Sequence, residues 1–156
     1  MDLSSLVSLD GILPSLKVQS KKQAIQDLSA LAAKVTGLPE REIFETLQQR
    51  EQLGSTGIGN GIAIPHGKLA SLKKIVGLFA RLDKPVDFDA SDDQPVDLLF
   101  VLLAPEAAGA DHLKALASVA RFMRDQAAVA NLRACRDVDA AYSVLTQSVI
   151  VPNTAA

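Results

Sequence analysis

Residues 54–69 read GSTGIGNGIAIPHGKL, from Gly54 to Leu69, and the rest of the chain is arranged around them. Five glycines, one proline and one histidine fall within sixteen residues, between a helical pattern upstream and a strand pattern downstream. Glycine at this density lets backbone approach a ligand closely and take positive φ, so a tight, shaped surface is expected from Gly54, Gly57, Gly59, Gly61 and Gly67. Pro65 has no N–H and biases Ile64 towards extended backbone, so Ile62, Ala63 and Ile64 read as a short strand that ends by presenting His66. Gly67 leaves little bulk beside that imidazole. A neutral imidazole is a good nucleophile near pH 7, which makes His66 the first candidate for chemistry.

The common phosphate motifs fail here. A P-loop needs glycine where Ile62 stands and serine or threonine where Leu69 stands. The dinucleotide fingerprint, started from Gly57 or from Gly59, meets Ile62 or Ile64 in place of its last glycine. What remains without a nucleotide is a glycine-rich hairpin with one histidine, flanked by the hydroxyls of Ser55 and Thr56, which serve a turn as well as they serve a ligand. Ile58, Ile62 and Ile64 are expected to rim this surface.

Upstream, Ile12 to Val18 has weak strand character broken by Pro14. Ser20 then opens a helix, with Gln23 completing a capping box. Ala24, Ile25, Leu28, Leu31, Ala32 and Val35 form one apolar face that Gly37 ends. Pro39 suits the first turn of a second helix, with Glu40 and Glu42 at its positive end. Ile43, Phe44 and Leu47 mark the buried stripe, and Arg50, two turns after Ile43, projects towards the interior side. Such an arginine ordinarily snorkels along a helix end. Beside a bound phosphoryl group it would offer a bidentate fork.

Downstream, Lys74 to Leu82 reads as a strand buried on both faces. Asp83 to Pro95 reads as a solvated acidic loop, because a calcium loop starting at Asp87 would need glycine at Asp92 and glutamate at Leu98. Val96 to Leu103, VDLLFVLL, is the strongest strand pattern. After Pro105 and Gly109 a helix begins near Asp111, placing His112 at a helix N-terminus beyond a buried strand, where α/β proteins usually hold ligands. Leu116, Val119 and Met123 continue the row below His112, so its ring leans towards the core, where most histidines are structural. Ala128, Leu132 and Cys135 share a face, which makes Cys135 a buried core thiol. A last helix runs from about Asp137 to Val149, with Val138, Ala141 and Leu145 inward, before a flexible tail over 150–156.

At 156 residues the chain fits one domain, spanning residues 3–149, with a substantial core. Buried strands alternating with amphipathic helices define a single α/β domain, a mixed β-sheet of about four or five strands with helices on both faces. Net charge is −2, which gives no basic field for nucleic acid or an anionic membrane. No apolar run is long enough to insert into a membrane, and the N-terminus lacks a signal peptide's basic start. A lone cysteine excludes an internal disulfide and fits a reducing cytoplasm.

GSTGIGNGIAIPHGKL resembles the active-site segment of the enzyme IIA domains of the fructose/mannitol type in the bacterial phosphotransferase system, with the nitrogen-regulatory branch as the nearest likeness. The resemblance extends from about Leu3 to Val149 and implies the enzyme IIA fold. It also implies that His66 accepts a phosphoryl group on Nε2, that Arg50 neutralises the phosphoryl oxygens, and that His112 orients the phosphoryl group or the His66 ring. The glycine-rich backbone, Gly54 to Gly67, would cradle the oxygens. Such a relay needs no cofactor, nucleotide or metal, and makes the protein a phosphoryl carrier more than a turnover enzyme. A metal site of His66, His112 and Asp111 has no ligand spacing behind it.

The implied partners are a nitrogen-type HPr-like phosphocarrier protein and regulated cytoplasmic proteins such as kinases or transporter subunits. The alternative is a sugar-transport enzyme IIA that passes phosphate to a IIB domain. No IIB cysteine motif and no membrane segment is fused to this sequence, which favours the regulatory reading.

Overall fold

The computed structural model describes residues 3–147. In chain order the elements are β1 (Val7–Leu16), α1 (Lys21–Thr36), α2 (Glu40–Gln52), β2 (Gly57–Gly59), β3 (Ile62–Ala63), β4 (His66–Leu69), β5 (Val76–Val86), β6 (Val96–Pro105), α3 (Ala110–Phe122), α4 (Gln126–Ala134) and α5 (Val138–Thr146). Single 3₁₀ turns at Leu3–Ser5 and Glu106–Ala108 precede β1 and α3. Six strands form one mixed sheet in the order β1-β5-β6-β3-β2, with β4 continuing alongside β6 beyond β3. β5 and β6 are antiparallel, whereas β1 runs parallel to β5, and β3 and β4 run parallel to β6.

Strand alternation divides the apolar side chains between two cores. Leu78, Ala80, Leu99 and Val101 face α1 and α2, which contribute Ile25, Leu28, Ile43 and Leu47. Phe79, Leu98, Phe100 and Leu102 face the helices that carry Val119, Leu132 and Leu145. Phe79 and Phe100 lie opposite one another in the β5–β6 ladder, and both are fully buried. Each fully buried side chain of this size stabilises the fold by about 1.5–3 kcal/mol relative to exposure.

The cap of α1 follows its sequence: Ser20 accepts from Gln23 N at 3.1 Å, although the Gln23 side chain reaches Gln19 N, one residue before the capping-box position. Gly37 closes the helix at φ 78°, its N–H on Ala33 O. Pro39 stands as the N-cap of α2, one residue before the expected first turn.

Several boundaries depart from the sequence reading. β1 begins at Val7 and runs through Pro14 unbroken, because it is an edge strand whose register shifts relieve the missing donor. The sheet has six strands because the glycine-rich segment supplies three short ones, and Pro65 separates the strand of Ile62 and Ala63 from a new one that starts at His66. The acidic stretch opens as strand, with β5 continuing to Val86, and Val86, Phe88 and Ala90 are buried in alternation with exposed Asp87 and Asp89. That period-two pattern was present among the aspartates, and it runs on past the end of β5 at Val86. On α4 the buried residues are Val129 and Leu132, with Ala128 half-buried. Cys135 is buried as the C-cap, donates to Asn131 O at 3.1 Å, and burial pushes its thiol pKa up. α5 ends at Thr146, and the expected continuation to Val149 and the tail over 150–156 lie outside the described residues.

Candidate functional site

Arg50, His66 and His112 come from three separate elements and meet. Arg50 lies in the last turn of α2, His66 opens β4, and His112 is the third residue of α3. Pairing of β4 with β6, His66 opposite Leu102, sets the height of the imidazole on the sheet. Gly67 lets α2 approach β4: a Cβ built there would lie 2.6 Å from Thr46 Cγ2.

The His66 ring is held from both nitrogens. Nδ1 lies 2.8 Å from Ile64 O, and Arg50 Nε donates to Nε2 at 3.3 Å. A carbonyl can only accept and a guanidinium can only donate, so both partners select the neutral tautomer with the proton on Nδ1 and the lone pair on Nε2. Arg50 is itself anchored by Nη1 on Gly54 O at 2.9 Å.

His112 faces this ring edge-on, with centroids 6.0 Å apart and planes at 71°. It is only 6% exposed, and its Nε2 has no hydrogen-bond partner among the described residues. Burial, then the neighbouring His66 and Lys68, hold its pKa below the usual 6.5. A buried nitrogen without a partner is costly, and here it sits at the start of a helix that has no side-chain N-cap.

The glycine-rich loop is braced from within the fold. Ser55 Oγ donates to Phe88 O at 2.6 Å, and Thr56 Oγ1 donates to Glu51 Oε2, so both hydroxyl protons are already engaged. The N–H groups of Thr56, Gly57 and Asn60 bond to Glu51, Ser55 and Asp92. A cradle using these three is therefore closed. Asn60 tips the β2–β3 hairpin at φ 58° between Gly59 at 99° and Gly61 at 80°, and Arg133 clamps its carbonyl while pairing with Asp97 at 3.0 Å. Gly57 packs so tightly on Ala90 that a Cβ would stand 2.8 Å away.

Sequence reasoning missed Glu51, Asp92, Asp97 and Arg133, whose partners lie up to 73 residues away and carry no local signature. It also misplaced the apolar rim: Ile62 and Ile64 are core residues, and the exposed apolar side chains on the site's elements are Leu53, Ile58 and Leu113. No group of three His, Cys, Asp or Glu side chains able to hold a metal exists among the described residues. A groove of about 1010 Å³ between the start of β1 and the end of α1 contains none of the three site residues. Chemistry marks this site, not concavity.

Together these elements make one class of α/β domain, in which an oriented imidazole lone pair stands beside an arginine and a buried second histidine, without a nucleotide motif. The comparisons give that class its family. The chain matches the profile "Phosphoenolpyruvate-dependent sugar phosphotransferase system, EIIA 2" over residues 5–148. It belongs to that family. A nitrogen regulatory protein of Bradyrhizobium diazoefficiens is 61% identical over 156 residues, covering 100% of both chains. The crystal structure of nitrogen regulatory protein IIA-Ntr from Neisseria meningitidis superposes with a TM-score of 0.87 at 36% identity, covering 92% of this chain and 99% of that one. IIA mannitol from Escherichia coli shares the fold at a TM-score of 0.75 and 21% identity, over 88% and 97% of the two chains. No described helix is long and apolar enough to cross a membrane.

Proposed function

We propose that this protein is the phosphoryl-accepting regulatory component of a nitrogen-type phosphotransferase relay, phosphorylated on His66 by an HPr-like carrier. The observation that carries the reading is the His66 ring: its lone pair is on Nε2, facing Arg50, with the unpartnered Nε2 of His112 beside it. The relatives named nitrogen regulatory proteins support the regulatory branch over sugar transport.

In the transfer, Nε2 of His66 attacks the phosphorus of the carrier's phosphohistidine, and the carrier's N–P bond breaks as the new one forms. The electron pair returns to the carrier's imidazole. The His66 ring then bears a substituted Nε2 and an Nδ1–H, and the Ile64 carbonyl stabilises that cationic ring. Arg50 Nε leaves Nε2 and meets the phosphoryl oxygens, its Nη1 still tethered to Gly54. His112 donates from Nε2 to another oxygen, at a helix start that favours anions. Positioning and charge neutralisation suffice for phosphoryl transfer through a loose transition state. Occupancy of His66 then decides which partner proteins bind.

The test is labelling by a phosphorylated carrier, followed by intact mass and by ¹⁵N NMR to place the phosphorus on Nε2. His66→Ala should take up no phosphoryl group and keep its fold. Full labelling of that variant removes His66 from the role.

A further inference from the structure

The last turn of α2 carries an acid where a helix ordinarily disfavours one. Glu51 stands near the negative end of the helix dipole, and its side chain is 3% exposed. It is nevertheless fully partnered. Lys21 Nζ lies 3.1 Å from Oε1, Thr56 N donates to the same oxygen at 3.1 Å, and the Thr56 hydroxyl donates to Oε2.

Thr56 passes this constraint on. Its carbonyl accepts from Ile64 N at 3.0 Å, and the Ile64 carbonyl accepts from His66 Nδ1 at 2.8 Å. Two residues before Thr56, the Gly54 carbonyl accepts from Arg50 Nη1 at 2.9 Å. One buried carboxylate thus heads two short chains of contacts. The first ends on the His66 ring, the second on the guanidinium that meets it 3.3 Å away.

We propose that Glu51 is a positioning residue of the His66 site. Through Thr56 it sets where the carbonyls of Ile64 and Gly54 stand, and so keeps the His66 proton on Nδ1 and the ring in register with Arg50. A buried ion pair with Lys21 is by itself weak evidence of anything beyond packing. The Thr56 bonds are what separate the two roles: Lys21 compensates the charge, and Thr56 carries the geometry. The effect on transfer rests on the phosphoryl-acceptor reading; the effect on the tautomer does not.

The experiment compares full-length variants by ¹⁵N NMR of the imidazoles in the unphosphorylated protein, by thermal melting, and by the rate of labelling from phosphorylated carrier. With two histidines in the chain, only one other ring needs assignment. Thr56→Val deletes the hydroxyl bond at nearly constant volume, and Thr56→Ser restores it. Lys21→Met deletes the ion pair with Glu51, together with the Lys21 contacts to Asp89 and the Phe88 ring, and leaves the Thr56 bonds in place; Glu51→Ala removes every contact of the carboxylate. The wild type should show His66 protonated on Nδ1. Thr56→Val should mix the tautomers and slow labelling about 10-fold, and Glu51→Ala should slow it by about 10²-fold, the order expected for an ångström-scale misplacement. Thr56→Ser should behave as wild type, and Lys21→Met should melt lower with the tautomer unchanged. An unaltered tautomer in both Thr56→Val and Glu51→Ala overturns the proposal, as does a tautomer change in Lys21→Met equal to that in Thr56→Val. If Glu51→Ala does not fold, the Thr56→Val and Thr56→Ser pair decides alone. If the carrier fails to label the wild type, the acceptor reading falls while the tautomer comparison still decides on Glu51.

Discussion

Arg50 Nε rests 3.3 Å from His66 Nε2, a guanidinium donor laid on the imidazole's lone pair by residues sixteen positions apart. The contact ties the end of α2 to the start of β4 and presets where an incoming anion would find positive charge. Arg50→Ala should slow labelling of His66 by about 10²- to 10⁴-fold, the range lost with an oxyanion-hole donor or an arginine finger. Arg50→Lys should recover only part, because a point charge replaces a planar fork. Stopped-flow or quenched labelling with phosphorylated carrier gives the rates, and wild-type rates in Arg50→Ala would leave the arginine a helix-end residue.

Burial holds the His112 pKa below its ordinary 6.5, so the folded protein binds fewer protons there than the unfolded chain does. The associated stability is complete above the unfolded pKa and is lost as pH falls from that value towards the native one. The melting temperature should therefore fall as pH drops below about 6.5, and the fall should be shallower in His112→Asn. Calorimetry across that range checks it; equal slopes in the two proteins would show that His112 does not titrate in this way.

Gly67 is required by the approach of α2. In Gly67→Ala the new Cβ meets Thr46 Cγ2 at 2.6 Å, and overpacking of this kind costs about 1–3 kcal/mol. Thr46→Ser lacks that methyl, so the double variant should regain most of the loss. Urea unfolding of the four proteins in this cycle measures the coupling, and simple additivity would argue that the two residues do not touch.

Phosphorylation of His66 would add about two negative charges to a surface whose elements also expose Leu53, Ile58 and Leu113. A partner packed there loses contact unless it supplies arginines. His66→Asp, a crude charge mimic, should weaken at least one partner that His66→Ala retains. Side-by-side pulldowns provide the check. Identical partner sets, with rapid phosphate transfer from wild type to a IIB domain, would favour the transport reading.

The glycine-rich segment, the strand of residues 96–103 and the amphipathic helices were legible in the sequence, because each is set by local chemistry: positive φ for Gly59 and Gly61, continuous apolar burial for β6, one apolar face for α1. The histidine beside Pro65, the arginine at a helix end and the histidine at a helix start could each be picked out one at a time. Their meeting was implied only by the family resemblance, since no spacing relates them. That Arg50 touches Nε2 and Ile64 O takes Nδ1, that His112 buries a nitrogen without a partner, and that Glu51 braces Thr56 all depend on how β4 lies along β6 and how α2 and α3 close over it. Sequence alone determined which residues carry reactive or shaping chemistry, since side-chain type and backbone preference are properties of single positions. Only the tertiary structure decided the tautomer, the buried acid and the loop's distant clamps, because hydrogen bonds and desolvation act across space between residues that no sequence spacing relates.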